Sequence, residues 1–400
     1  MFVWKNASKL QRQVRKLFQQ VSSDKFKLFT RFSPDTTLIS PDMTSNLPKR
    51  SPEDNPMAVI ARCKKEGRPV FVAGPMVRYS KLPFRELVRH YKTDIVYTPM
   101  ILAREFVRHE NARISDFTTN ASDRPLILQV GANNVTDLLR MCEMVHPYVD
   151  GIGLNCGCPI KEQVREGIGA ALMSKKELVA DMVRAVKKTY GHTLVMEVKI
   201  RVHADIAETI EFVKCVEEAG VDFITVHGRT KNTRSSVPAD FGKIKAIKEI
   251  ATVPIIANGD CRSLKDAYSI CEYTGCDGVM AVRGVLYNPA MFAGFKDTPW
   301  GAVELFLDLA SSYGLPFRLI QHHVSCMLES QTSKKLHIEL NEATCFAEML
   351  DFFDKHFTLK RSGDAGFGSA VDFPYKDVEE RNLEDRKKES RQTTGRRLKL

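Results

Sequence analysis

The stretch Gly151-Ile152-Gly153-Leu154-Asn155-Cys156-Gly157-Cys158-Pro159 begins as an apolar run and breaks into a loop carrying two thiols and an amide. A hydrophobic core has no need of such a break, so the loop reads as a display of reactive groups. Lys199 and Arg201 stand two residues apart near the end of another apolar run, and the period of two places them on one face of a strand. An ammonium in an apolar strand is costly without an anion beside it, which favours a functional role for Lys199. Other apolar runs end in Gln129, in His227-Gly228-Arg229, in Asn258-Gly259-Asp260 and in Val282-Arg283-Gly284. A single Gln or His at a strand end is commonly just a satisfied hydrogen-bonding group, and Asn-Gly-Asp alone is turn chemistry. Asn-Gly-Asp and Arg-Gly also suit the capture of a phosphate. The chain has no CxxC pair, and Cys156 and Cys158 are too close for a zinc-ribbon knuckle, so no metal site is expected.

The elements that must position these groups follow a rhythm of strand then helix. Apolar strands are expected over 69–76, 94–100, 125–130, 151–156, 194–202, 222–227, 254–258 and 277–282. Helices are expected over 82–91, 135–149, 205–219 and near 241–250. Two more are read from capping patterns, Ser174-Lys-Lys-Glu177 for a helix to about residue 190 and Ser263-Leu-Lys-Asp266. Eight such units match a (β/α)8 TIM barrel, whose chemistry gathers where strands end. A doubly wound open sheet is the rival, disfavoured by the count and by the missing GxGxxG fingerprint. Helical patterns over 302–313, 317–329 and 339–357 make a small C-terminal helical domain. The expected division is an N-terminal extension and linker (1–67), the barrel (68–298), the helical domain (299–358) and a charged tail (359–400), solvated or flexible.

The 400 residues include 43% apolar side chains, ample for a large core, and no run long enough to span a membrane. Ten cysteines without a secretory leader suggest reduced thiols inside a cell. The formal charge of +10 lies entirely in the termini, leaving 34–358 balanced at 40 basic and 40 acidic residues. Any polyanion-binding face on the body must therefore come from segregation of charge. Leu10, Val14, Leu17 and Val21, interleaved with Lys9, Arg12, Arg15 and Lys16, outline a basic amphipathic helix. That helix reads as a mitochondrial transit peptide, a nucleic-acid arm or a plain extension; a cytoplasmic location is the main expectation, with the mitochondrion as its alternative.

Taken together, the motifs resemble the tRNA-dihydrouridine synthases. The resemblance covers roughly 68–355 and rests on GPMVRYS (74–80), LQVGAN (128–133), NCGCP (155–159), KIR (199–201), VHGRT (226–230), NGD (258–260) and RGVLYNPAMF (283–292), all in order. The text around 75–85 and 155–159 is most similar to the eukaryotic branch acting at positions 20a and 20b of the D-loop. The resemblance implies FMN as cofactor, NADPH as reductant and tRNA as partner, in a monomer with no membrane association. It further implies that Pro75, Met76 and Val77 line the flavin ring, that Gln129 and Lys199 bond its edge, and that His227 contacts it further down. Asn258, Gly259 and Asp260, with Val282 and Arg283, would hold the ribityl phosphate; Asn155 and Arg201 would meet the target uracil; Cys158 would be the catalytic acid. One departure is Val282, where the family often has Gly.

Reduction of the uracil C5–C6 bond needs a hydride at C6 and a proton at C5. A flavin N5 supplies the first. A thiol, unlike a carboxylic acid, is normally still protonated near neutrality and can supply the second. Cys156 reads as packing. The uracil must leave its stack to be reached, with phosphate contacts expected from Lys81, Arg85, Lys161, Arg165, Arg229, Lys231 and Arg234. His322 and His323, in the helical region, are left open between RNA contact and helix surface. The competing readings are an FMN barrel acting on a free pyrimidine, of the dihydroorotate dehydrogenase kind, and a non-catalytic tRNA-binding protein.

Overall fold

The computed structural model describes residues 51–377. The basic helix expected over 10–21 and the tail beyond 377 lie outside the described residues. Eight strands alternate with helices: β1 (Val70–Ala73), β2 (Ile95–Tyr97), β3 (Leu126–Gly131), β4 (Gly151–Cys156), β5 (Val195–Arg201), β6 (Phe223–His227), β7 (Ile255–Asn258) and β8 (Gly278–Ala281). Each pairs in parallel with the next, and β8 returns to β1, so the sheet is a closed barrel. A two-residue segment, Ile101–Leu102, adds to the end of β3. The expected TIM barrel is therefore the observed fold. Most strand residues are buried and apolar, as burial on both sides of a parallel sheet requires.

The helices are α1 (Pro56–Lys65), α2 (Leu82–His90), α3 (Ala103–Arg108), α4 (Glu110–Asp116), α5 (Val135–Val145), α6 (Lys161–Arg165), α7 (Lys176–Tyr190), α8 (Ile206–Glu218), α9 (Phe241–Ile250), α10 (Leu264–Thr274) and α11 (Arg283–Tyr287). Four more follow among the described residues: α12 (Trp300–Ser312), α13 (Phe317–Leu328), α14 (Lys334–Glu342) and α15 (Phe346–His356). Ser263 caps α10 as its spacing predicts, accepting the Asp266 N–H at 3.1 Å. The box expected at Ser174 does not form. Ser174 ends a 3₁₀ turn over Gly169–Ser174 and donates to Ala171 O, so α7 starts at Lys176 without a side-chain cap.

Inside the barrel, Val70, Val72, Ile95, Tyr97, Ile127, Val195, Phe223, Ile256 and Met280 form one cluster, and Val59, Ile60 and Cys63 of α1 belong to it. This helix, unforeseen in the linker, starts with Pro56 behind an Asn55 cap and ends in Arg62, Lys64 and Lys65, which complement its dipole. Burying Val59 and Ile60 there contributes about 1.5–3 kcal/mol each.

The helical region packs onto the barrel through α12, which lies along α2, and the second apolar cluster runs unbroken from the strands into α12–α15. His323 is wholly buried among Phe84, Phe306 and Tyr79, its Nε2 3.0 Å from Tyr79 O. His322 is exposed and stacks on Tyr79. The long helix expected over 339–357 is two helices, broken at 343–345 where Cys345 turns extended.

The solvated tail expected from 359 is corrected for residues 359–377, which fold back on α12. Glu304 is buried and takes N–H groups from Trp300 Nε1, Lys360 and Gly368, each at 2.9 Å. Trp300 and Gly301 donate backbone bonds to Val371 and Ala370, and Phe373 is buried against Trp300 and Phe357. A carboxylate with three donors and two aromatic residues, Phe373 and Tyr375, offsets the charge that otherwise favours solvation.

Candidate active site

Asn155, the penultimate residue of β4, organises the loop that follows. Its Oδ1 accepts the N–H groups of Gly157 (3.0 Å) and Cys158 (2.9 Å), a side-chain-to-backbone turn that Asn forms readily. Its Nδ2 donates to Gln129 Oε1 at 2.9 Å. The carbonyl of Cys158 accepts Ala170 N, and Gly169 (φ +63°) passes so close that a Cβ there would meet Cys158 O at 2.7 Å. The two thiols are thereby separated. Cys156 is wholly buried and its thiol is pushed up by desolvation, then by Glu197; Cys158 is half-buried and faces a cavity.

This cavity, of about 350 Å³, opens at the C-terminal ends of the strands. Pro75, Val77, Gln129, Asn155, Cys158, Lys199, Arg201, His227, Asn258, Gly259, Asp260, Val282 and Arg283 all line it. Met76, between Pro75 and Val77, is not among the lining residues; its N–H bonds Ser80 Oγ at 2.7 Å and its side chain is buried in the core. Met100, Gly157, Pro159, Thr233, Ser235, Cys261, Arg262 and Met280 also line the cavity and were not singled out. Met100 ends an expected strand and Arg262 follows the Asn258-Gly259-Asp260 break by two residues, a usable signal; Thr233 and Ser235 come from the long loop after β6, which has no periodicity to read.

The register of the barrel sets the groups in layers. Asn155 pairs with Lys199, Arg201 with His227, and His227 with Asn258. Lys199 Nζ donates to Asn258 Oδ1 at 2.8 Å, and Asn258 Nδ2 donates to Met280 O at 2.9 Å, which fixes the amide's orientation. Burial pushes the Lys199 ammonium below its ordinary range, while Glu197 opposes the shift. Burial, then the surrounding cations beginning with Lys199, hold His227 well below the usual imidazole range, so it is neutral. Its Nδ1 accepts the Arg229 N–H at 3.1 Å, which places the ring proton on Nε2. Arg201 ties two loops together, donating to Gly157 O (2.7 Å) and Thr230 O (2.9 Å).

Asp260 stands at φ +46° after Gly259 (φ +137°), where a Cβ would meet Ala239 Cβ at 2.6 Å. Burial alone would raise its carboxyl, but hydrogen bonds from Arg229 Nη2 and Ala239 N, with Arg283 Nη2 at 3.2 Å, hold it below the ordinary range.

Three of the seven basic residues expected to meet phosphate are otherwise engaged. Arg85 is buried, in a two-nitrogen contact with Asp123 (3.0 and 2.6 Å). Arg229 is buried on Asp260 and Val237 O. Lys81 donates to Ser115 O and is depressed by desolvation. Lys161, Arg165, Lys231 and Arg234 are exposed.

Residues 71–387 match the family model described as dihydrouridine synthase. The chain is 56% identical over 330 residues to the tRNA-dihydrouridine(20a/20b) synthase [NAD(P)+] of Saccharomyces cerevisiae, covering 81% of this chain and 90% of that protein. It is 47% identical to the Schizosaccharomyces pombe protein of the same name, over 78% of this chain and 95% of the relative. A human relative named tRNA-dihydrouridine(20a/20b) synthase [NAD(P)+]-like is 44% identical, over 73% and 92%. With the family match spanning most of the barrel and the helical region, the chain belongs to the dihydrouridine synthase family.

Proposed function

We propose that the cavity binds FMN and that the chain reduces a D-loop uridine of tRNA, at position 20a or 20b, to 5,6-dihydrouridine at the expense of NADPH. The observation that carries the reading is a half-buried thiol, Cys158, fixed by Asn155 in the same cavity as Lys199, Gln129 and a neutral His227. The donor set suits a flavin. Gln129 Nε2 is buried among the described residues without a partner, and Asn155, by holding Gln129 Oε1, keeps that donor available. Lys199 Nζ and His227 Nε2 add two more donors, and Pro75 and Val77 an apolar wall.

A bound flavin supplies hydride chemistry that no side chain can perform. Gln129 and Lys199 serve the polar edge of its ring, and the Lys199 charge favours negative charge developing there. The tight backbone at Gly259, with Asn258, Val282 and Arg283, serves the phosphate; Asp260 holds Arg283 in place. Cys158 holds the proton destined for uracil C5. Arg201 has Nη2 left for a uracil carbonyl after its two backbone bonds. Val77, at the cavity mouth, is 47% exposed, which leaves room for an extruded base.

The test is mass spectrometry of fragments of tRNA lacking dihydrouridine, after incubation with the purified protein and NADPH. Dihydrouridine is expected at 20a or 20b. Unmodified D-loops would sink the reading. Cys158→Ala is expected to stay yellow and lose uridine reduction; loss of the flavin would mark Cys158 as structural.

A further inference from the structure

Two residues before Lys199 on the same inward face of β5 is Glu197, wholly buried. It does not itself line the cavity, and a carboxylate inside a barrel of Val, Ile and Phe is expensive unless it serves something. The barrel makes room for it. Gly153 is its register partner on β4, and a Cβ at that glycine would lie 2.3 Å from Glu197 Oε2. Tyr97 of β2 and Thr225 of β6, the latter paired with Lys199, turn their hydroxyls toward the carboxylate. Both hydroxyls and both carboxylate oxygens are buried; no hydrogen bond of full standard geometry joins them, yet the hydroxyls stand close enough to stabilise the carboxylate. They form a polar layer beneath Lys199, with Ile127, Val195, Phe223 and Ile256 around it.

We propose that Glu197 is a positioning residue whose buried carboxylate keeps the Lys199 ammonium charged, so that Lys199 presents a cation to the ligand in the cavity. Glu197 and Arg201 stand two residues either side of Lys199 on the same face of β5, and Cys158 after β4 and His227 on β6 share its cavity; all four act on or are acted on by its charge. Asn258 of β7 contributes only a neutral amide oxygen. Arg201 disfavours a second cation, and the neutral imidazole of His227 offers no anion. Glu197 is thus the one resident carboxylate among these groups that opposes the desolvation of Lys199. Burial pushes the Glu197 carboxyl up and the Lys199 ammonium down, and each charge resists the shift of the other.

The proposal rests on the flavin reading only for its consequence; the coupling itself is testable without flavin. In the flavin-free protein, competitive acetylation quantified at Lys199 by peptide mass spectrometry across pH reads its titration directly. In Glu197→Gln, close in size and uncharged, the Lys199 midpoint is expected to fall by about one pH unit or more. Tyr97→Phe, which removes one hydroxyl facing the carboxylate, is expected to move it the same way by less. In the flavin-loaded protein, Glu197→Gln is expected to lower the flavin midpoint potential most in the pH range between the two Lys199 midpoints, where Lys199 is charged in the wild type and neutral in the variant. An unchanged Lys199 midpoint in both folded variants, judged by circular dichroism, would overturn the proposal. A shifted Lys199 midpoint in a protein that never binds flavin would leave the coupling intact and sink the flavin reading instead.

Discussion

Asn155 carries two readings that a pair of substitutions separates. The family resemblance gives it a contact with the target uracil; the structure gives it the Cys158 loop to hold. Asn155→Ala removes three hydrogen bonds, those from the N–H groups of Gly157 and Cys158 and the one to Gln129 Oε1. Two partly buried backbone donors are left without an acceptor, at about 1 kcal/mol each, and the Gln129 amide is freed to rotate, for a total of about 2–3 kcal/mol. For a chain of this size that lowers Tm by roughly 5 °C. Loosening the thiol's position by about 1 Å is worth about 100-fold in the reduction step. Asn155→Asp keeps an acceptor for both N–H groups, with a charge that strengthens them, but faces Gln129 Oε1 with a second acceptor. Gln129 must then turn its NH₂ toward Asp and its oxygen toward the cavity. The Asp variant is therefore expected to recover the melting temperature while binding FMN about 10-fold or more weakly, the cost of one replaced donor. The assays are thermal denaturation, FMN titration of the flavin-free protein, and single-turnover dihydrouridine formation. An Asp variant as unstable as the Ala variant would refute the loop-holding role, as would an Ala variant that reduces tRNA at the wild-type rate.

Iodoacetamide is expected to alkylate Cys158 and the exposed Cys345 well before the buried Cys142, Cys156 and Cys261, whose thiols desolvation pushes up; peptide mass spectrometry gives the order. Asp123→Asn strands Arg85 and Arg89 and is expected to cost about 3–5 kcal/mol by chemical denaturation with tRNA affinity unchanged. Burial raises the Asp123 carboxyl but the two arginines lower it further, to a net depression. Its contribution is accordingly complete above the ordinary Asp range and lost as pH falls through the depressed folded value, visible as a stability loss below about pH 4. Glu304→Gln turns one of the two oxygens that accept the Lys360 and Gly368 N–H groups into a donor, and limited proteolysis within 359–377 is expected to accelerate.

The barrel was legible because parallel strands buried on both faces write themselves as continuous apolar runs, and because each run ends in a polar break that marks the reactive face. Lys199 stood out for the same reason, as a charge where the pattern wanted none, and so could Glu197, two residues earlier, had the strand been read inward as well as outward. Arg85 was misplaced because a charge on a helix is silent about its partner: Asp123 lies in the irregular segment before β3. Helix α1 was hidden by Pro and Ser around a short apolar stripe, and the fold-back of 359–377 by net charge, although Phe373 and Tyr375 were visible in it.

The spent arginines sharpen where a polyanion can dock. With Arg85 on Asp123, Arg229 on Asp260 and Lys81 on Ser115, the cations left exposed from the expected set are Lys161 and Arg165 on α6, and Lys231 and Arg234 on the loop after β6. β4 and β6 are the two neighbours of β5, and Arg201 at the end of β5 donates to both of their loops, to Gly157 O and Thr230 O. The free cations therefore flank the strand that delivers Lys199, and the bonds of one arginine hold their two loops to a common frame. A body with no excess charge can still present a basic mouth in this way, by using its buried arginines for architecture and leaving exposed cations beside the cavity. On the proposed reading, phosphates gripped by these two loops would set the backbone on either side of Cys158, where an extruded base would enter.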